Sequence, residues 1–130
     1  MIAHTCILSI VDSVIPDLVD CGVDGFYCLE PAVGMDIVEL KKTWPGHVWA
    51  GGVDGVDLME RGTPQQVVEE VQRQIRETNA LQTGGMFLGS SSEINPPIKP
   101  ENYRAMVQAA RGLLNPGLGS DRVPGTGGPK

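Results

Sequence analysis

The sequence predicts an α/β fold of four strand-then-helix units sharing one parallel sheet. Three observations lead there. Short apolar runs recur along the chain, each is followed by a stretch whose apolar residues fall at three- and four-residue spacing, and no hairpin joins one run directly to the next. Strands that alternate with helices pair in parallel through right-handed crossovers.

The units follow in order. "MIAHTC" (1–6) is the first strand, and "DSVIPDLVDCG" (12–22) is a helix, with Val14, Ile15, Leu18 and Val19 on one side and Gly22 placed to end it. "GFYCLE" (25–30) is the second strand, leading into the helix "DIVELKKTW" (36–44) through Ile37, Leu40 and Trp44. "HVWAGGVD" (47–54) is the third, and a Gly- and Asp-rich loop separates it from a helix over 62–81. That helix has the clearest start in the chain. Thr63 is the N-cap, Pro64 takes the first helical position, and Gln66 reaches back to close a capping box, with Val67, Val68, Val71 and Ile75 as the apolar stripe. "GGMFLGSS" (84–91) is the fourth strand, and "KPENYRAMVQAARGLL" (99–114) the fourth helix, with Tyr103, Met106, Val107 and Ala110 expected to face inward. The remainder, 115–130, is rich in Gly and Pro and too poor in apolar groups to offset ordering, so it reads as a disordered tail.

Composition narrows the function classes. A chain of 130 residues, 41% hydrophobic, suffices for one compact domain, placed at 1–114. Its formal net charge of −6, with ten basic residues scattered along it, leaves no basic stripe for a phosphate backbone, which argues against nucleic acid. No apolar run reaches the ~18–20 residues of a membrane span, and the start lacks a basic region followed by an apolar core. Three cysteines without a disulfide-framework spacing suit reduced thiols, and a cytoplasmic setting is expected.

In parallel α/β sheets the chemistry gathers at the carboxyl ends of the strands, where the βα loops converge. The candidates there are His4 and Cys6, Glu30, Asp54, and the group Ser90, Ser91, Ser92 and Glu93. His4 and Cys6 stand two apart, so along a strand they share a face and permit half of a metal site. The alternative is a strand-end histidine with a cysteine packed as a small apolar residue. Glu30 and Asp54 read either as substrate contacts or as carboxylates capping the next turn.

The same strand ends, taken in order, carry a family likeness. "HTC", "CGVDGFYCLEPAVGMDIVELKKTW", "GGVD", "GTPQQVVEEV" and "GGMFLGSSSEINPPIKPENYRAM" together resemble the C-terminal half of the uroporphyrinogen decarboxylase family, which also holds corrinoid-dependent methyltransferases. The resemblance spans roughly residues 2–112 and implies half of a (β/α)8 TIM barrel, since a full barrel takes ~250 residues. In the decarboxylase branch it implies removal of porphyrinogen acetate groups in tetrapyrrole biosynthesis. That chemistry asks for a carboxylate on the pyrrole N–H groups and arginines on the propionates, which the resemblance places in the N-terminal half, and for an acid for the carbon left behind, with no cofactor; the histidine common after the family's last strand is replaced here by Ser92. Asp54, Glu30 and His4 are the catalytic candidates and Ser90, Ser91, Ser92 and Glu93 the substrate contacts.

In the methyltransferase branch the likeness implies a zinc ion held by His-x-Cys and by a cysteine after the last strand. His4 and Cys6 match the first pair. The segment "LGSSSEI" puts serines where the third ligand would stand, and a serine hydroxyl is a poor zinc donor. The metal set is therefore incomplete, and no resident cofactor is expected. A corrinoid protein is the partner that branch would call for.

Four parallel strands leave two edges with unpaired N–H and C=O groups and an open inner face. A partner is expected: a second copy or a separate N-terminal half. Alone, the chain is expected to be inactive, whether it is a lyase part, a methyltransferase part, or a non-catalytic remnant or assembly module. Trp44 and Trp49 read as packing between the second helix and third strand, "EEVQRQIRE" as a solvated helix face, and "GTGG" as lacking the Lys-Ser/Thr pair of a phosphate loop.

Overall fold

The structure, a computed structural model, describes residues 2–4 by backbone alone and residues 13–114 in full; Cys6 and the tail 115–130 lie outside the described residues. Four strands, β1 (Ile2–His4), β2 (Gly25–Leu29), β3 (Val48–Val53) and β4 (Met86–Ser90), form one sheet in chain order. Every neighbouring pair is parallel. Between and after them run α1 (Ile15–Asp20), α2 (Ile37–Thr43), α3 (Pro64–Glu77), a short α4 (Ala80–Thr83) and α5 (Pro100–Leu114). This is the expected α/β half-barrel: four parallel βα units with the helices on one face of the sheet.

Two apolar clusters hold that face. Ile15, Phe26, Leu29, Val38 and Trp49 anchor the first, under α1 and α2. Val53, Met59, Val67, Val71 and Met106 anchor the second, under α3 and α5. Trp49 stacks on Phe26 with ring centroids 4.8 Å apart, and its indole N–H donates to the Trp44 carbonyl at 3.2 Å, so both tryptophans pack where α2 meets β3.

The capping box at Thr63 forms as read: Gln66 N–H donates to Thr63 Oγ1 at 3.3 Å, and Thr63 N–H donates to Gln66 Oε1 at 2.8 Å. The far end of α3 departs from the reading. The helix stops at Glu77, because Asn79 adopts φ 52° and Thr78 Oγ1 turns back onto the Gln74 carbonyl at 2.6 Å, so 80–83 form a separate short helix. On α5, Ala105 and Met106 enter the core while Tyr103 is 42% exposed, contrary to its expected inward placement.

Parity along β2 also differs from simple alternation. Strict two-residue alternation puts Phe26 and Cys28 on the inner face with Glu30, but Phe26 points into the helix layer, and Cys28 takes φ 65° where the β2–β3 register shifts. The inner face carries Tyr27 on β2, Ala50 on β3 and Phe87 on β4, which share one register row. Tyr27 and Phe87 are exposed there. Among the described residues no helix is long and apolar enough to cross a membrane.

Candidate active site at the strand ends

The carboxyl ends of β2, β3 and β4 are tied by one hydroxyl. Ser91 continues the β3–β4 pairing one residue past β4, its N–H donating to the Val53 carbonyl at 2.7 Å. That fixes its side chain between two neighbours. The Gly55 N–H donates to Ser91 Oγ at 3.0 Å, and Ser91 Oγ donates to Glu30 Oε2 at 2.9 Å. Glu30 Oε1 accepts from the Ala32 N–H at 3.3 Å and so caps the short 3-10 turn Pro31–Val33. Ser91 is 3% exposed, whereas Glu30 is half-buried at the mouth.

Asp54 follows β3 and starts a helical turn, Gly55–Glu60, in the segment read as loop. Its Oδ1 accepts from the N–H groups of Val56, Asp57 and Leu58 at 2.9, 2.6 and 3.4 Å. The other end of that turn is clamped from α5 and the residue before it: Asn102 Nδ2 donates to the carbonyls of Leu58, Met59 and Gly62, and Lys99 Nζ to those of Arg61 and Gly62. A Cβ at residue 55 would meet Ser92 Oγ, so a larger residue there would require that hydroxyl to turn away.

The sequence candidates therefore divide. Glu30 and Ser91 touch directly, Asp54 lies beside them as a cap, and Ser90 and Ser92 flank Gly55, with Ser92 N–H donating to Ser90 Oγ at 3.4 Å. Glu93 is exposed on the loop after them. His4 is placed by its backbone, paired with Tyr27 at the end of β1. A groove of about 340 Å3 wraps the β4 edge, from Tyr27 and Phe87 on the open face past Ser92 and Ile94 to Tyr103 and Met106 on α5.

Sequence reasoning missed Gly55 and Arg73. The "VDG" triplet at 53–55 signals a close backbone approach at most, and Arg73 sits in a helix face that looks uniformly solvated. Arg73 in fact crosses to α2: its Nη2 donates to Asp36 Oδ2 and to Glu70 Oε1, both at 2.8 Å. That hydrogen bond, against an opposing desolvation, holds the Glu70 carboxyl below its ordinary range, and the pairing raises the Arg73 guanidinium further above its own. The two residues wall a cleft of about 430 Å3 beside Asp54, on the rim outside the inner face.

The Cys6 candidate and the His4 side chain lie outside the described residues, and the described strand ends offer the carboxylates of Glu30 and Asp54 with serine hydroxyls, of which Ser91 Oγ already accepts from one group and donates to another. Among the described residues no three His, Cys, Asp or Glu side chains converge on one point.

Comparison with known proteins completes the description. The fold superimposes on a methyltransferase from Methanosarcina mazei with a TM-score of 0.67 and 21% sequence identity, over 86% of this chain and 31% of that one. At that identity the likeness speaks for the fold, and the chain spans less than a third of the larger protein's length. No curated protein matches the chain in sequence. The uroporphyrinogen decarboxylase family model matches residues 1–113. Since that match covers most of the chain, the chain belongs to the uroporphyrinogen decarboxylase family.

Proposed function

We propose that the chain is the C-terminal half of a uroporphyrinogen decarboxylase-like barrel, working in the cytoplasm, and that when completed it removes acetate carboxyl groups from a porphyrinogen. The observation that carries this reading is the strand-end set itself: a carboxylate held by Ser91, a second carboxylate on the neighbouring turn, and a groove walled by Tyr27 and Phe87. Such a set suits a flat apolar ring with N–H donors. Decarboxylation of a pyrrole acetate proceeds through an electron-rich ring that needs binding, orientation and a proton, which side chains alone supply. The carboxylate for the pyrrole N–H groups and the arginines that grip the outer carboxylates would come from the other four units, while the aromatic walls would cover the ring and Glu30 would contact the substrate from the strand ends.

A second reading, methyl transfer with a corrinoid protein as partner, draws on the fold shared with the Methanosarcina mazei methyltransferase and on His4 at the end of β1. One experiment separates the two. The chain, joined to a complementary half so that eight strands close, is supplied with uroporphyrinogen in one assay and with methylcobalamin plus a thiol in another. Coproporphyrinogen formed at a rate reduced by Glu30→Gln is the expected result. Methylated thiol without porphyrinogen turnover would replace the first reading with the second.

A further inference from the structure

We propose that a pocket at the amino-terminal end of the sheet binds a small oxyanion, a carboxylate or phosphate group received by the ammonium of Lys41. The pocket lies where α2 and α3 end and β3 and β4 begin, at the opposite end of the strands from Glu30 and Ser91. It is independent of the reaction proposed there.

Lys41 stands in the last turn of α2 and is only 6% exposed. Its ammonium carries a full charge and three N–H donors, so burial is costly unless an acceptor meets it. Among the described residues none does, for no hydrogen bond or ion pair engages Lys41 Nζ. The carbonyl end of α2 gives the charge a favourable field, yet it supplies no hydrogen bond. The nitrogen rests against the Gly85 backbone, where an added Cβ would come within 2.9 Å of it. A side chain at 85 would displace the ammonium.

The pocket beside it, about 250 Å3, is walled by Lys41, Lys42, Pro45, Glu77, Thr78 and Thr83. Each other charge on that wall has a counter-ion: Lys42 Nζ lies 2.8 Å from Glu39 Oε1, and Glu77 Oε2 lies 3.8 Å from Arg73 Nη1. The uncompensated charge is that of Lys41. Thr78 Oγ1 and Thr83 Oγ1 donate to the Gln74 and Asn79 carbonyls at 2.6 and 3.1 Å, so their hydrogens are committed and the ammoniums are the donors left to a ligand. An anion is the complement. Pockets for drug-sized molecules run to about 300–1,000 Å3, so this one suits a single small group.

The test uses the whole chain with its lysines labelled at 13Cε, and the Lys41 signal is assigned as the one missing from Lys41→Met. Inorganic phosphate and acetate are titrated separately, with chloride holding the ionic strength constant. At least one should give a saturable shift of the Lys41 signal, while Lys99, at the other end of the fold, moves linearly if at all. The same anion should raise the melting temperature of the wild type, and Lys41→Met should lose that rise. Saturation by phosphate alone assigns a phosphate group, and saturation by acetate a carboxylate. Should Lys41→Met fail to fold, Lys42→Met, Lys99→Met and Lys130→Met assign the signal by elimination. No saturable shift with either anion, or an equal melting rise in Lys41→Met, would overturn the proposal. So would a Lys41 shift in anion-free Glu77→Gln as large as the one the anion produces, since Glu77 would then be the partner of Lys41 in solution.

Discussion

Phe26 and Tyr27 are neighbours on one strand and meet opposite surroundings. Phe26 is 2% exposed, stacked on Trp49 under the helices, and Tyr27 is 40% exposed on the inner face. The contrast repeats across the sheet, with Trp49 and Val53 fully buried on the helix side and Phe87 65% exposed on the other. In a closed barrel both faces are interior. Here the helix-side layer is packed and the inner face is open among the described residues, so the two faces of the same strands contribute differently to stability.

The largest effect that would sharpen this contrast is association. Covering several hundred Å2 of the inner face and strand edges is worth on the order of 10 kcal/mol at ~25 cal/mol per Å2, before association costs. The chain is therefore expected to form a dimer or higher assembly, or to bind a complementary half. Light scattering coupled to size exclusion reads it, and Phe87→Lys should shift the population toward monomer. A cooperatively folded wild-type monomer at micromolar concentration would break the comparison, since the open face would then need no cover.

Next in size is the finished face. Trp49→Ala should lower unfolding stability by about 3–5 kcal/mol, the usual cost of emptying a large aromatic site. Phe87→Ala in the unassociated chain should stay within about 0.5 kcal/mol, as an exposed substitution does. Urea denaturation of both variants compares the faces directly, and equal losses would refute the division.

Smaller effects belong to the helices that cover the outer face. Thr63→Ala removes the cap of α3 and should cost about 1 kcal/mol. The Glu70–Arg73–Asp36 cluster adds a pH signature. Because Arg73 holds the Glu70 carboxyl below its ordinary value, the contribution is complete above the usual glutamate pKa of about 4.3 and is lost as pH falls through the lowered folded value. Arg73→Met should flatten that acid limb, seen as a smaller difference in melting temperature between pH 6 and pH 3 (roughly the two sides of that range).

Much of the fold was legible in the sequence because its signals are local. The capping box at Thr63 and Gln66, the stripe Val67, Val71, Ile75, and the strand runs each depend on residues within a few positions. What could not be read depends on contacts across the sheet. Alternation misplaces Phe26 because the register shift at Cys28 breaks the two-residue period, and helical spacing misplaces Tyr103 because a stripe does not say how wide its cover is. At the site, Glu30 and the serines were recognisable as strand-end residues. That Ser91 touches Glu30, sixty-one positions earlier, follows only from the fold.

One strand carries a further consequence. β3 contributes Trp49 to the first apolar cluster and Val53 to the second, and between them Gly51 and Gly52 both take positive φ values, 106° and 90°. At Gly52 a Cβ would press on Ile37 and Gln74, so neither a wider residue nor an ordinary extended backbone fits. The two clusters thus meet across this pair of glycines, with the Arg73–Asp36 link between α3 and α2 as a second tie. If β3 holds, the units melt together as one cooperative body. If it frays at this pair of glycines, the α1–α2 side and the α3–α5 side become separate folding units with their own transitions, and calorimetry would record two unfolding events where one is expected.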